Sequence, residues 1–432
     1  MTLGTWLLPR ADLTPEQLRV VEMPPDEHRV VLGPAGSGKT QVLIHRAAHL
    51  AETYYGNVAR FRVFVFTNVI REYISSGIEF LGFPEGAVST FDNWCALLYQ
   101  DYVSYSLPRK RRHKLIDFES IRYKILDVFR LRKELQKRLD FVLVDEGQDL
   151  APEVYDILSL ASRHITVFVD PQQKIFEHGA DVSYILEKLQ LNSQNATLLG
   201  TYRNAPYVAY LASHFIMDKE LRKEFLAQAH TEQKVREKPL CYLAPSIDEE
   251  VDRLAEIVRQ RQIMNERVGI IVSTNKILHD LARALEERGV EVEKAIKSDF
   301  FKTVEVVCNF DNSVPKIATY YQAKGLTFDS VLLPCIADRS FPWLQGVARK
   351  RILFVGIVRA MQWVYLSTIR GLSFEEMDIL KEAESEGHLI MQYREGLKFR
   401  KKREEGEEGE EELEEEDDDE EEPGDGDDFS VL

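Results

Sequence analysis

The segment Gly33-Pro34-Ala35-Gly36-Ser37-Gly38-Lys39-Thr40 limits what this chain can fold into more than any other stretch. It satisfies G-x-x-x-x-G-K-[ST], follows an apolar run at Val30–Leu32 and precedes an apolar-periodic stretch that reads as a helix. The glycines let successive backbone N–H groups turn toward phosphate oxygens at a helix N-terminus, where the dipole favours anions. Lys39 is placed to neutralise the β and γ phosphates and Thr40 to give an oxygen to Mg²⁺, so the expected ligands are ATP and Mg²⁺. A Gly-rich turn without ligand is the competing reading, and the strand–loop–helix setting argues against it.

Downstream, Phe141-Val142-Leu143-Val144 ends in Asp145 and Glu146. Alone, an acidic pair after a strand is a solvated loop. Behind a phosphate-binding loop, such a strand delivers an Asp to the Mg²⁺ shell and a Glu that orients or deprotonates the attacking water. Thr40 and Asp145 are therefore the expected metal ligands.

Two stretches alternate strand and helix in the manner of parallel α/β domains. Strands are predicted at Val30–Leu32, Val63–Phe66, Phe141–Val144 and Thr166–Val169, then at Leu240–Leu243, Val268–Val272, Ile317–Thr319, Val331–Pro334 and Trp363–Leu366. An amphipathic helix is predicted over Asn275–Arg288, with Ile277, Leu278, Leu281 and Leu285 on one face. Residues 95–138 read as a small helical insertion carrying the basic run Arg109 to Lys114. The expected organisation is two tandem RecA-like P-loop domains with parallel sheets, at 1–195 and 196–385, then a basic linker at 386–403 and an acidic tail at 404–432.

Charge has to be divided before it is used. The 432 residues carry a net charge of −17, but residues 404–428 hold 19 acidic and no basic residues. The remainder has 55 basic against 53 acidic residues, so the folded part is close to neutral and compatible with nucleic acid. The tail has too little apolar content to fold and is expected to be disordered. No apolar run is long enough to cross a bilayer, and the start lacks a signal-peptide layout. Cys95, Cys241, Cys308 and Cys335 are scattered, with no Cys-x-x-Cys, which argues against a zinc site or disulfide framework and fits a reducing, cytoplasmic setting.

Asp145-Glu146-Gly147-Gln148-Asp149 resembles the D-E-x-Q-D box of superfamily 1 DNA helicases of the UvrD/Rep/PcrA type, and further motifs follow in the same order. Thr14-Pro15-Glu16-Gln17 resembles the Q motif, whose Gln reads adenine. Phe66-Thr67-Asn68 and Thr90-Phe91 resemble motifs that touch single-stranded DNA. Asp170-Pro171-Gln172-Gln173-Lys174-Ile175-Phe176 resembles the motif whose Gln senses the γ-phosphate. Thr201-Tyr202-Arg203 resembles N-Y-R, with Tyr on adenine and Arg on phosphate. Thr319 to Leu326 resembles T-x-H-x-x-K-G-L, and Arg351 to Ala360 the motif that supplies a second arginine, Arg359. The resemblance implies a catalytic set of Lys39, Asp145, Glu146, Gln173, Arg203 and Arg359, and nucleotide contacts from Gln17, the loop and Tyr202. It implies DNA contacts at Phe66, Thr67, Asn68, Thr90, Phe91 and Tyr321.

The departures fall mainly on DNA contact and on coupling. Tyr321 replaces a His, Thr327 a Glu, Val358 a Thr, Val69 a Lys and Asp92 a His, while Gln41 stands where an Arg often stacks on adenine. The large second insertion of full-length relatives is absent from the spacing. Two readings remain: an ATP-dependent translocase or helicase moving 3′→5′ on single-stranded or tailed duplex DNA in repair, replication or defence, or a regulatory DNA-dependent ATPase subunit that does not itself unwind. RNA stays open as a substrate, since stacking and phosphate contacts serve either polymer.

The tail has three readings: a solubilising chain, a docking segment for a protein partner, or an internal competitor of DNA for basic surface. On the third, deleting residues 404–432 tightens single-stranded DNA binding at low salt, measured by fluorescence anisotropy; unchanged affinity there would remove the tail from DNA binding.

Overall fold

The computed structural model describes residues 7–34, 36–56, 60–67, 69–71, 74, 83–84, 86–110, 115–170, 179–192, 196–198, 204–228, 237–295, 308, 310 and 312–393. Among them the chain forms two parallel sheets. The first contains β1 (Arg29–Leu32), β2 (Phe61–Val65), β3 (Val88–Thr90), β4 (Leu139–Val144), β5 (Ser162–Val169) and β6 (Ala196–Leu198), in the spatial order β3-β2-β4-β5-β1-β6. The second contains β7 (Leu240–Ala244), β8 (Val268–Val272), β9 (Glu293–Lys294), β10 (Lys316–Thr319), β11 (Phe328–Leu333), β12 (Ala360–Ile369) and β13 (Ile390–Tyr393), in the order β13-β7-β12-β11-β8-β10-β9.

Every pairing in both sheets is parallel, for example Val31 opposite Phe168 and Ile270 opposite Ile317. Parallel strands covered on both faces read as continuous apolar runs, and β8 is buried at every position. All nine predicted strands are present. The four that sequence patterning did not mark, β3, β6, β9 and β13, are no longer than four residues.

Local signals explain the helices that bear on the site. Helix α1 (Pro15–Glu22) begins with a capping box: Gln17 N–H donates to Thr14 Oγ1 and Thr14 N–H to Gln17 Oε1, with Pro15 in the first turn. Helix α2 (Lys39–Leu50) starts at Gly38 and lies against α1. Arg46 of α2 is fully buried and ties three elements together. It donates to the Val20 and Met23 carbonyls at the end of α1 and to Thr166 Oγ1 of β5. The predicted amphipathic helix spans Asn275–Glu287, capped by Thr274, with Leu278, Leu281 and Leu285 buried.

Three expectations change. The helices Phe91–Tyr102 and Phe118–Leu131 were expected as an insertion, but their Phe91, Trp94, Ile121, Ile125 and Phe129 share one buried cluster with Val142 and Val144 of β4. They cover a face of the first sheet and belong to its core. The expected boundary at 195/196 falls one strand short, because β6 pairs with β1. The boundary at 385/386 also falls short, because β13 pairs with β7 inside the stretch assigned to a linker. The acidic tail and the basic run Lys398–Arg403 lie outside the described residues.

The halves are continuous in their packing. One apolar cluster holds Val31, Leu43, Val65 and Ile70 from the first and Tyr320, Leu326, Phe328 and Leu333 from the second. At its seam a Cβ on Gly325 would sit 2.7 Å from Ile70 Cδ1, and the glycine has φ +83°. Only a residue without a side chain fits both conditions. Among the described residues no helix is long and apolar enough to cross a membrane.

Candidate active site

The phosphate-binding loop leaves β1 at its C-terminal end, held by Gly33 N–H donating to the Val169 carbonyl at 3.0 Å. Gly36 and Gly38 have φ of 82° and 80°, which turns the loop into the start of α2. The ammonium of Lys39 is buried and folded back on the loop. It donates to the Gly33 carbonyl at 2.7 Å and the Pro34 carbonyl at 3.2 Å, and lies 3.3 Å from Asp170 Oδ2. Ser37 Oγ is buried with no partner among the described residues. Gln17 reaches the loop from beneath, its Nε2 donating to the Ser37 carbonyl at 3.0 Å while its Oε1 serves the α1 cap. The amide thus ties the loop to the start of α1.

Strand β4 delivers the carboxylates. Thr40 Oγ1 donates to Asp145 Oδ2 at 3.3 Å, which brings the two expected metal ligands together. Glu146 follows in the left-handed region, φ 51°, a conformation that costs a non-glycine residue energy and persists only where its surroundings enforce it. The enforcement is visible. Tyr155 Oη donates to the Gly147 carbonyl at 2.6 Å, and a Cβ on Gly147 would meet Val167 Cγ1 at 2.3 Å. Gln148 then bridges outward, its Nε2 donating to Glu146 Oε2 at 2.5 Å and its Oε1 accepting from Asp170 N–H at 3.0 Å.

The second half contributes cations. Lys324, fully buried, forms an ion pair with Asp149 and lies 3.5 Å from Glu146 Oε2, crossing from the second sheet to the first. Arg359 is also buried; its Nε donates to the Val355 carbonyl at 3.0 Å. Burial raises the Asp145 carboxyl, and the neighbouring Glu146 charge pushes it further up. Burial works the same way on Glu146, but Lys324, Lys39 and Arg359 outweigh it and hold this carboxylate ionised, below its ordinary value. Two adjacent acids are driven apart, which is the arrangement that gives neighbouring carboxyls different roles.

Of the expected site residues, the structure brings together Lys39, Thr40, Asp145, Glu146 and, through its field, Arg359. Ala35, Asn68, Gln173, Tyr202 and Arg203 lie outside the described residues. Asn204, next to Arg203, is described: its Nδ2 donates to the Val358 and Ala360 carbonyls on either side of Arg359. Lys324 was legible in its motif but had been given no role; its burial against Glu146 is the feature that motif position could not reveal.

The expected DNA contacts divide. Phe91 is corrected: it is 3% exposed and packs edge-on to Phe64 at 5.2 Å, so it serves the core. Thr90 caps the helix Phe91–Tyr102 by accepting from Asn93 N–H. Thr67 Oγ1 accepts from Ile70 N–H, and Phe66 lies half-buried with Lys324 Nζ 5.8 Å from its ring centre. Tyr321 is half-buried, its hydroxyl raised by burial and hydrogen-bonded to Trp343. Val69, Thr327 and Val358, three of the departures, are buried, and Asp92 pairs with Arg122 at 2.8 Å.

Replacing Lys324 by Met leaves Glu146 and Asp149 without their buried cation and is expected to cost about 3–5 kcal/mol. Adding Asp149→Asn should return part of that loss, with a coupling of about 1–3 kcal/mol in a double-mutant cycle followed by urea denaturation. Coupling near zero would mean that the pair does not bind the halves together in solution.

Comparison with known proteins accounts for this arrangement. Residues 13–107 and 89–192 match the UvrD/REP helicase N-terminal domain, and residues 307–371 the UvrD-like helicase C-terminal domain. A probable DNA helicase of Mycoplasma pneumoniae is 23% identical over 308 residues, 65% of this chain and 54% of that protein. F-box DNA helicase 1 of Gallus gallus is 22% identical over 334 residues, 61% of this chain and 33% of that one. A probable DNA helicase II homolog of Mycoplasma capricolum is 27% identical over 161 residues, 34% of this chain and 22% of that one. The chain therefore spans from about a fifth to about half the length of these relatives. With the loop and acidic strand inside the first matched domain and Lys324 and Arg359 inside the second, the chain belongs to the UvrD/REP helicase family.

Proposed function

We propose that the protein is a DNA-dependent ATPase that moves 3′→5′ on single-stranded DNA and couples hydrolysis to translocation or strand separation. The observation that carries this reading is the contact of Lys324, from the second half, with Glu146 and Asp149 of the first, where the Arg359 charge also acts on Glu146. Phosphoryl transfer needs positioning and charge stabilisation more than covalent help, so a site assembled from two halves makes hydrolysis depend on how they close. Direction, and the choice of DNA over RNA, rest on the family resemblance.

In this reading Lys39 leaves the Gly33 and Pro34 carbonyls for the β and γ phosphates of ATP. Ser37, whose buried hydroxyl has no partner among the described residues, would donate to the same phosphates. Thr40 and Asp145, already within hydrogen-bond distance, would hold Mg²⁺, which supplies charge neutralisation when bound. Glu146, kept ionised, accepts a proton from the attacking water, with Gln148 fixing its orientation. Arg359 offsets the charge that develops on the transferred phosphoryl group.

The second reading, a regulatory ATPase without unwinding, is favoured by the DNA side alone. Phe91 is core, and Tyr321 is tied to Trp343 where the family places a His.

Steady-state ATPase assays with and without single-stranded DNA, with Lys39→Ala as blank, test the proposal. Stimulation of at least about tenfold is expected, and the blank should lose nearly all turnover. Hydrolysis indifferent to DNA would move the assignment to the regulatory reading. In a tailed-duplex assay, Tyr321→His is expected to raise the number of base pairs opened per ATP hydrolysed; an unchanged ratio would show that coupling does not diverge at this position.

A further inference from the structure

On the side of the second half where the chain approaches its C-terminal segment, three side chains converge that no step above uses. His214 caps the C-terminal end of the helix Pro206–Ser213. Glu386 caps the helix Met377–Ser385, and His388 follows across Gly387, whose φ of 76° turns the chain toward β13. His214 Nε2 and His388 Nδ1 are 3.1 Å apart, and Glu386 Oε2 lies 3.5 Å from each of them.

These distances fit a cation better than a proton. A single hydrogen between the imidazoles explains the 3.1 Å contact, and Arg222 offers Glu386 a cation at 3.8 Å, but neither accounts for a carboxylate oxygen 3.5 Å from both ring nitrogens. Ligand bonds of about 2.0–2.1 Å at tetrahedral angles place neighbouring donor atoms roughly 3.3 Å apart, which is the size of this triangle. The donor set, two imidazoles and one carboxylate, suits zinc and its borderline neighbours rather than Mg²⁺ or Ca²⁺.

We propose that His214, Glu386 and His388 form a binding site for a zinc-class divalent cation, with the fourth position open to water. Burial lowers both imidazoles below their ordinary values, the direction that favours the uncharged, metal-ligating form. The His388 ring is held by stacking on Tyr210, 4.7 Å between centres. Access is open: the His214 side chain is fully buried, but those of His388 and Glu386 are 23% and 44% exposed. Arg222 is the competing cation, 3.3 Å from His214 Nδ1 and 3.8 Å from Glu386 Oε2. A metal at Nε2 would leave the His214 proton on Nδ1, where Arg222 could no longer donate to it. Scattered cysteines gave no hint of such a site, because its donors are histidines 174 positions apart and a Glu-x-His pair. The bound ion would clamp the helix Pro206–Ser213 to the segment leading into β13.

The full chain, stripped with a chelator, is titrated with ZnSO₄ by calorimetry and with CoCl₂ by visible spectroscopy. The expected result is one equivalent per chain, an intense tetrahedral cobalt spectrum with nitrogen ligands, and a zinc-dependent rise in Tm. His388→Ala and Glu386→Gln, checked for folding by circular dichroism, should each lose more than about a hundredfold in zinc affinity, beyond what loss of an outer hydrogen-bond partner costs. A pale octahedral cobalt spectrum, or zinc binding that is equal in the variants and the unaltered chain, would place the ion on the acidic tail and overturn the site.

Discussion

A lysine with no exposed surface cannot exist charged inside a protein unless anions come to it. Lys324 has two, Asp149 and Glu146, and both belong to the other sheet. Each partner would be costly to bury alone, so the ion pair makes the two halves mutually necessary at this point. The apolar seam around Ile70 and Gly325 supplies the bulk of the contact, and bulk contact alone tolerates sliding. The charge pair fixes the register. Because one of its members is Glu146, the acid proposed to activate water, the same interaction that holds the halves together also lowers the ionisation range of an acid at the end of β4.

The first half is built to keep that strand where it is needed. Arg46 joins α1, α2 and β5, so the helix that follows the phosphate loop cannot move without the sheet. Tyr155 and Val167 leave space only for glycine after Glu146, and Gln148 connects Glu146 to the start of the segment after β5. The left-handed backbone of Glu146 is therefore a product of packing on three sides. Positioning chemistry depends on such over-determination, since small displacements of an acid or base cost large factors in rate.

Much of this was legible in the chain. Nine strands were legible because parallel strands covered on both faces leave apolar runs, and the loop and acidic pair because their chemistry dictates their residues. Short edge strands such as β9 and β13 were invisible, having too few residues to show a pattern. Phe91 was read as a DNA contact from its motif, and the structure puts it in a core that only the packing of Trp94 and Phe129 could reveal. Lys324 was visible as a motif letter, but which acids it would meet depended on how two sheets distant in sequence face each other.

The loop that binds Lys39 to its own carbonyls has one more consequence. A ligand entering this site competes with the protein for the ammonium, so binding strength is reduced by however rarely the loop is open. Any anion there must offer the ammonium at least what the Gly33 and Pro34 carbonyls and the Asp170 carboxylate already give it. Self-occupation thus keeps the lysine's charge compensated in the absence of a ligand and raises the threshold for weak anions.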